Sequence, residues 1–194
     1  MPVAPNKEER YTYKDYKNWP ADNHWELIEG VPYAMSPAPS TEHQLISGNL
    51  FFILKNYLKT GNKKCMPFFS PYDVLLPEKG ENQDSTSTVV QPDLLVVCDK
   101  SKITDKYCVG APDLIVEIVS PSCPSMDYVK KLHLYEKNGV REYWIVNPEK
   151  KQVMVFRLMD NGDYDSPEIY GEADVAKVGI FVDLEVNIND IFIL

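Results

Sequence analysis

Glu117 sits in the middle of the most apolar segment of the chain, Asp113-Leu114-Ile115-Val116-Glu117-Ile118-Val119. Strand alternation puts Ile115, Glu117 and Val119 on one face and Leu114, Val116 and Ile118 on the other. Both faces are apolar, the pattern of a central strand covered on both sides. A carboxylate there is costly unless something partners it. Glu117 therefore needs a cation, a lysine, or a proton held at raised pKa, and a structural ion pair meets that need as well as a metal ion does. A second carboxylate, Asp93, lies in Val89-Val90-Gln91-Pro92-Asp93-Leu94-Leu95-Val96-Val97. Pro92 cannot donate to a sheet ladder and marks the strand's entry, which makes Asp93 its first residue. Alone, such an Asp is an ordinary turn residue. Paired with Glu117 from a neighbouring strand, it can converge on a hard cation such as Mg²⁺, with Mn²⁺ able to substitute.

The third element is a helix expected from Ser125 to Lys137, ending at Asn138-Gly139. Helical spacing places Tyr128, Lys131, Leu134 and Tyr135 on one face, with Lys130, His133 and Lys137 on another. Lys131 thus has a buried stem and must carry its ammonium to a waiting charge. Glu117 can supply that charge, and so can Asp127, one turn earlier on the same helix.

Around these residues the elements read as many strands and two substantial helices. Residues 11–19 suggest a short helix with Thr12 as its cap. Trp25–Ile28 and Val31–Met35 form a hairpin across Glu29-Gly30. Ser36-Pro37-Ala38-Pro39-Ser40 breaks the chain, and Ser40 or Thr41 caps a long helix over Glu42–Lys59. Strands follow near 64–69, 72–76, 93–97, 114–119, 141–146 and 151–158. The class is α/β or α+β, a mixed sheet flanked by helices, in one domain spanning 1–194 with residues 1–10 as a flexible leader.

No apolar run reaches the ~18 residues of a membrane span, and the N-terminus lacks a signal peptide's basic and apolar stretches. That predicts a cytoplasmic address with reduced thiols, Cys98 being a small core residue. The cysteines at 65, 98, 108 and 123 have no paired spacing, and with three histidines in the chain a zinc site is not expected. The net charge of −9 opposes non-specific coating of nucleic acid and suits weak, metal-dependent engagement.

Taken in order, Trp25-Glu26-Leu27-Ile28-Glu29-Gly30, His43, Gln91-Pro92-Asp93 and Ala111-Pro112-Asp113 through Ser120-Pro121-Ser122 resemble one family. Asp127, Lys131, Tyr135 and the segment Gly139-Val140-Arg141-Glu142-Tyr143-Trp144-Ile145-Val146-Asn147-Pro148 continue the match. That family comprises restriction-endonuclease-like proteins of the PD-(D/E)XK nuclease superfamily, long known only as a domain of unknown function. The resemblance implies a restriction-endonuclease-like core, a Mg²⁺-dependent phosphodiesterase site acting on nucleic acid, DNA first, and a homodimer. It assigns Asp93 and Glu117 to the superfamily's two acids. The superfamily lysine two residues after the second acid is absent, Val119 standing there. The family is similar in placing a lysine on the following helix, here Lys131.

On this reading Asp93, Glu117 and the Ile118 carbonyl hold the metal, and Lys131 orients water or offsets charge on the phosphate. Glu26 supports the metal through a water. His43 contacts phosphate or assists proton transfer, unless it merely bonds a nearby carbonyl. The strand Val153–Leu158, with Met154 and Phe156, is one candidate for the dimer interface. Two rivals stand beside this reading: an interaction protein that kept the fold and lost activity, and a metal-dependent hydrolase of RNA or another phosphodiester.

Overall fold

The computed structural model describes residues 8–20, 25–35, 38–61, 63–120 and 125–193. Most of the expected leader, the Ser36-Pro37 part of the break, Cys123 and the Pro121-Ser122 end of the family motif lie outside them. The first element is α1 (Tyr13–Tyr16), where the Thr12 backbone N–H and hydroxyl both donate to Asp15 at 2.9 Å. The hairpin follows as β1 (Trp25–Ile28) and β2 (Val31–Ala34). Its two turn residues, Glu29 and Gly30, have φ of 51° and 77°, the left-handed pair that a two-residue hairpin loop requires.

The long helix α2 (Thr41–Thr60) begins as expected, the Ser40 hydroxyl accepting the His43 N–H. Ile46, Leu50, Leu54 and Leu58 form its buried stripe, each worth roughly 1.5–3 kcal/mol. After it come β3 (Met66–Phe69), β4 (Asp73–Leu75), β5 (Val89–Val90), β6 (Leu94–Val97), β7 (Tyr107–Val109) and β8 (Leu114–Ile118). Met126–Lys131 is then a π-helix that runs into α3 (Leu132–Lys137). The chain closes with β9 (Glu142–Asn147), β10 (Gln152–Arg157), β11 (Glu168–Gly171), β12 (Val175–Lys177), β13 (Glu185–Asn187) and α4 (Ile188–Phe192).

The strands divide into a six-stranded sheet ordered β11-β10-β9-β8-β6-β3, a five-stranded sheet ordered β2-β1-β5-β4-β7, and the β12-β13 pair. Both larger sheets are mixed, with β8-β9 and β4-β7 parallel. On one face of the six-stranded sheet, Leu94, Val96, Leu114, Val116, Trp144 and Val146 pack against α2. On the other, Leu95, Val97, Ile115, Val119, Tyr143 and Ile145 meet Leu134 and Tyr135 of α3 and Ile28, Val74 and Val90 of the smaller sheet. β8 is therefore central and covered on both sides, as its two apolar faces require. No helix among the described residues is long and apolar enough to cross a membrane.

Three expectations are corrected. β10 is an interior strand, paired with β9 and β11, so it has no free edge for a partner, and Phe156 is buried within the chain rather than on a surface. The helix after β8 is not α-helical throughout: its first half is the π-helix, in which Asp127 and Lys131 are both buried. Cys65 and Cys98 are joined as a disulfide rather than reduced thiols. The β3-β6 register pairs Met66 with Val97 and so brings the two cysteines opposite each other. Cys108 is free and buried.

Candidate functional site

The β6-β8 register pairs Leu94 with Val116, and one step further it sets Asp93 opposite Glu117 on the same face. Asp93 lies just before β6 rather than within it, and its Oδ2 accepts the Ile118 backbone N–H at 2.7 Å. The same oxygen is 3.2 Å from His43 Nε2. His43 thus reaches a carboxylate from the first turn of α2, and not a backbone carbonyl. Its other ring nitrogen is buried without a partner among the described residues. Burial works against the imidazolium, but the hydrogen bond and charge of Asp93, with Asp127 behind it, raise the pKa of His43.

Lys131 occupies the space between the two sheets. Its Nζ lies 2.9 Å from Glu117 Oε1 and 2.9 Å from Glu26 Oε1, with 5% of each side chain exposed. Asp127 is farther, at 4.0 Å, so the within-helix pair is the weakest of the three. The Tyr135 hydroxyl donates to Glu117 Oε1 at 2.7 Å, and the Gln91 N–H donates to Glu26 Oε1 at 3.0 Å. Glu26 therefore meets Lys131 directly. Lys130 instead reaches outward, its Nζ 2.6 Å from the Tyr33 hydroxyl.

One lysine faces the carboxylates of Glu26, Glu117 and Asp127, and the charge of Asp93 acts on Glu117 and Asp127. Burial pushes the Glu117 carboxyl well above its usual range, and the charges of Asp127, Asp93 and Glu26 add to this against Lys131. Burial likewise pushes Asp127 up to about 6. Burial opposes the Lys131 ammonium, yet Glu117, Glu26 and Asp127 outweigh it and hold the lysine charged. The expected raised carboxyl is present, although desolvation contributes more to it than like-charge repulsion. Asp127 and Tyr135 join the group without having been singled out as site residues. Their signal was present in the sequence as the same helix face that carries Lys131.

Carboxylate oxygens are the ligands a hard divalent cation takes, and the surplus of acids over Lys131 is the charge such a cation would neutralise. Among the described residues, no three or more His, Cys, Asp or Glu side chains are grouped to hold a metal ion. A Mg²⁺ site needs only one or two carboxylates together with waters, and Asp93 and Glu117 are donors of that type.

The chain has relatives. A protein 27% identical over 140 residues, covering 72% of this chain and 68% of its own length, is the uncharacterized protein slr1290 of Synechocystis sp. (strain ATCC 27184 / PCC 6803 / Kazusa). Among solved structures, a crystal structure described as a putative nuclease belonging to DUF820, from Anabaena variabilis ATCC 29413, superposes with a TM-score of 0.72. It is 20% identical, and the match covers 93% of this chain and 97% of that one, so the two share the fold. The model of the Uma2 family, described as putative restriction endonuclease, matches residues 13–189, and the chain belongs to that family.

Proposed function

We propose that this chain is a Mg²⁺-dependent endonuclease that hydrolyses phosphodiester bonds in nucleic acid, with DNA as its substrate. The observation that carries the reading is the convergence of Asp93 and Glu117 across β6 and β8, with the buried Lys131 bonded to Glu117. Asp93, Glu117 and the Ile118 carbonyl would hold the metal. When bound, the ion supplies Lewis acidity at a phosphate oxygen and a lowered pKa for its water. Lys131, kept charged by Glu117 and Glu26, offsets negative charge that develops on the phosphate in the transition state. Glu26 and Tyr135 fix the ammonium and the Glu117 carboxylate in place. His43, held by Asp93, whose hydrogen bond and charge raise its pKa, can contact phosphate or pass a proton on.

Twofold dimerisation belongs to the same reading, because a pair of sites suits cleavage of two strands. The rival reading, a scaffold that kept the fold and lost activity, is favoured by the net charge of −9. Incubating the protein with plasmid, single-stranded DNA and RNA in Mg²⁺ or Mn²⁺, beside Asp93→Ala, separates these readings. The proposal expects plasmid cleavage that needs metal and disappears in the variant. Cleavage of RNA alone would move the substrate, and no cleavage of any substrate would favour the scaffold.

A further inference from the structure

Gln91-Pro92-Asp93 is the three-residue crossover between β5 of the smaller sheet and β6 of the larger one. It holds two of the acids at once. The Gln91 N–H donates to Glu26, and Asp93 itself takes the Ile118 N–H and the His43 imidazole. A crossover this short has little freedom of its own, and Pro92 removes more. What remains to be fixed is the Gln91 side chain.

That side chain is tied to Asp73. Gln91 Nε2 donates to Asp73 Oδ1 at 2.7 Å, and the Tyr16 hydroxyl donates to the same oxygen at 3.1 Å. The β4-β5 register pairs Val74 with Val90, which sets Asp73 directly across from Gln91. Because a carboxylate can only accept, Asp73 dictates which way the Gln91 amide points. The orientation leaves Gln91 Oε1 buried with no partner among the described residues, and the Trp25 indole N–H is unpartnered as well. Asp73 is also a partly buried acid with no cation bonded to it among the described residues, and burial raises its pKa. A cluster selected for stability would not combine these three features, whereas a cluster that must hold a backbone in one position can tolerate them.

We infer that Asp73, acting through the Gln91 amide with Tyr16 in support, is a positioning residue that fixes the crossover presenting Glu26 and Asp93 to the site. The inference rests on the nuclease reading of that site. Loss of the anchor lets the crossover shift, and a displaced Asp93 carboxylate weakens metal binding and chemistry without altering the surface that meets nucleic acid.

The test compares the full chain with Asp73→Ala, Asp73→Asn and Gln91→Met, using Mn²⁺ calorimetry and metal-dependent plasmid cleavage below every variant's melting temperature. Asp73→Ala and Gln91→Met should weaken Mn²⁺ binding and lower kcat by about 10–100-fold, with KM for the plasmid within about twofold. Asp73→Asn keeps an oxygen that accepts from Gln91 and Tyr16, and should recover most of both. Gln91→Met serves if Asp73→Ala does not fold, since it leaves the Gln91 N–H bond to Glu26 in place. Variants that lose melting temperature but bind Mn²⁺ and cleave like the parent would overturn the inference while leaving the nuclease reading intact. A parent protein that neither binds Mn²⁺ nor cleaves would overturn both.

Discussion

The Lys131 ammonium lies 2.9 Å from the Glu117 carboxylate, and each side chain keeps 5% of its surface exposed. A charged pair so deeply placed gains little net stability over apolar residues of the same volume. Its retention beside Glu26, Asp93 and Asp127 is what a site needing both a lysine and an excess of acids would require. The predictions below separate that role from a purely structural one.

The excess of acid should make the metal-free protein more stable as pH falls through neutrality. Asp127 has a folded pKa of about 6 against an ordinary 3.8. Between those values the folded chain holds more protons than the unfolded one, so stability falls as pH rises. Above pH 6 the cost approaches about 3 kcal/mol. Asp73, Glu117 and Glu142, each raised chiefly by burial, act in the same direction. So does His43, whose raised pKa gives stability below its unfolded value that is lost as pH rises. The surface acids held low by hydrogen bonds, such as Glu29 and Asp84, lose their contribution only in more acidic solution. Thermal melts without metal should therefore give a higher Tm at pH 5.5 than at pH 7.5. Asp127→Asn should flatten the dependence and gain up to about 3 kcal/mol at pH 7.5. A Tm that rises with pH over this window would contradict the electrostatics.

Mn²⁺ should bind once, and through Glu117. Calorimetry on the native protein should give one site, and Glu117→Gln, which keeps the shape and a hydrogen-bonding oxygen, should give none. Equal binding by both proteins would remove Glu117 from the metal site.

Tyr135→Phe deletes the hydroxyl that donates to Glu117 Oε1 at 2.7 Å. A buried hydrogen bond to a charged partner is worth about 1.5–3 kcal/mol, and urea unfolding should report a loss of that size. A change below about 0.5 kcal/mol would show that Glu117 does not depend on this donor.

Much of the fold could be read from local chemistry. Glu29-Gly30 between two apolar runs marks the hairpin, Ser40 marks the start of α2, and a lone Glu117 in a two-faced apolar strand marks the buried cluster with Lys131 and Tyr135. What could not be read depends on contacts distant in sequence. Apolar periodicity assumes α-helical turns, so it does not register the π-helix at Met126–Lys131. Met154 and Phe156 read as an available surface because strand order, which flanks β10 with β9 and β11, is not written in the strand itself. Cys65 and Cys98, 33 residues apart, carry no spacing signal, and only the β3-β6 register brings them together. Nothing local marks Asp73, whose alignment with Gln91 comes only from the β4-β5 register.

The most direct test sets Lys131 against its neighbour. Lys131→Met should cost about 3–5 kcal/mol, because it leaves buried acids without their cation, and less at pH 5.5, where those acids take up protons. Lys130→Met removes a surface contact with Tyr33 and should change stability by no more than about 0.5 kcal/mol. Metal-dependent plasmid cleavage is then measured for both at a temperature where each is folded by circular dichroism. Cleavage by Lys131→Met should fall at least about 100-fold, and Lys130→Met should cleave like the parent. Equal cleavage by the two folded variants would contradict the account and leave Lys131 as a structural salt bridge.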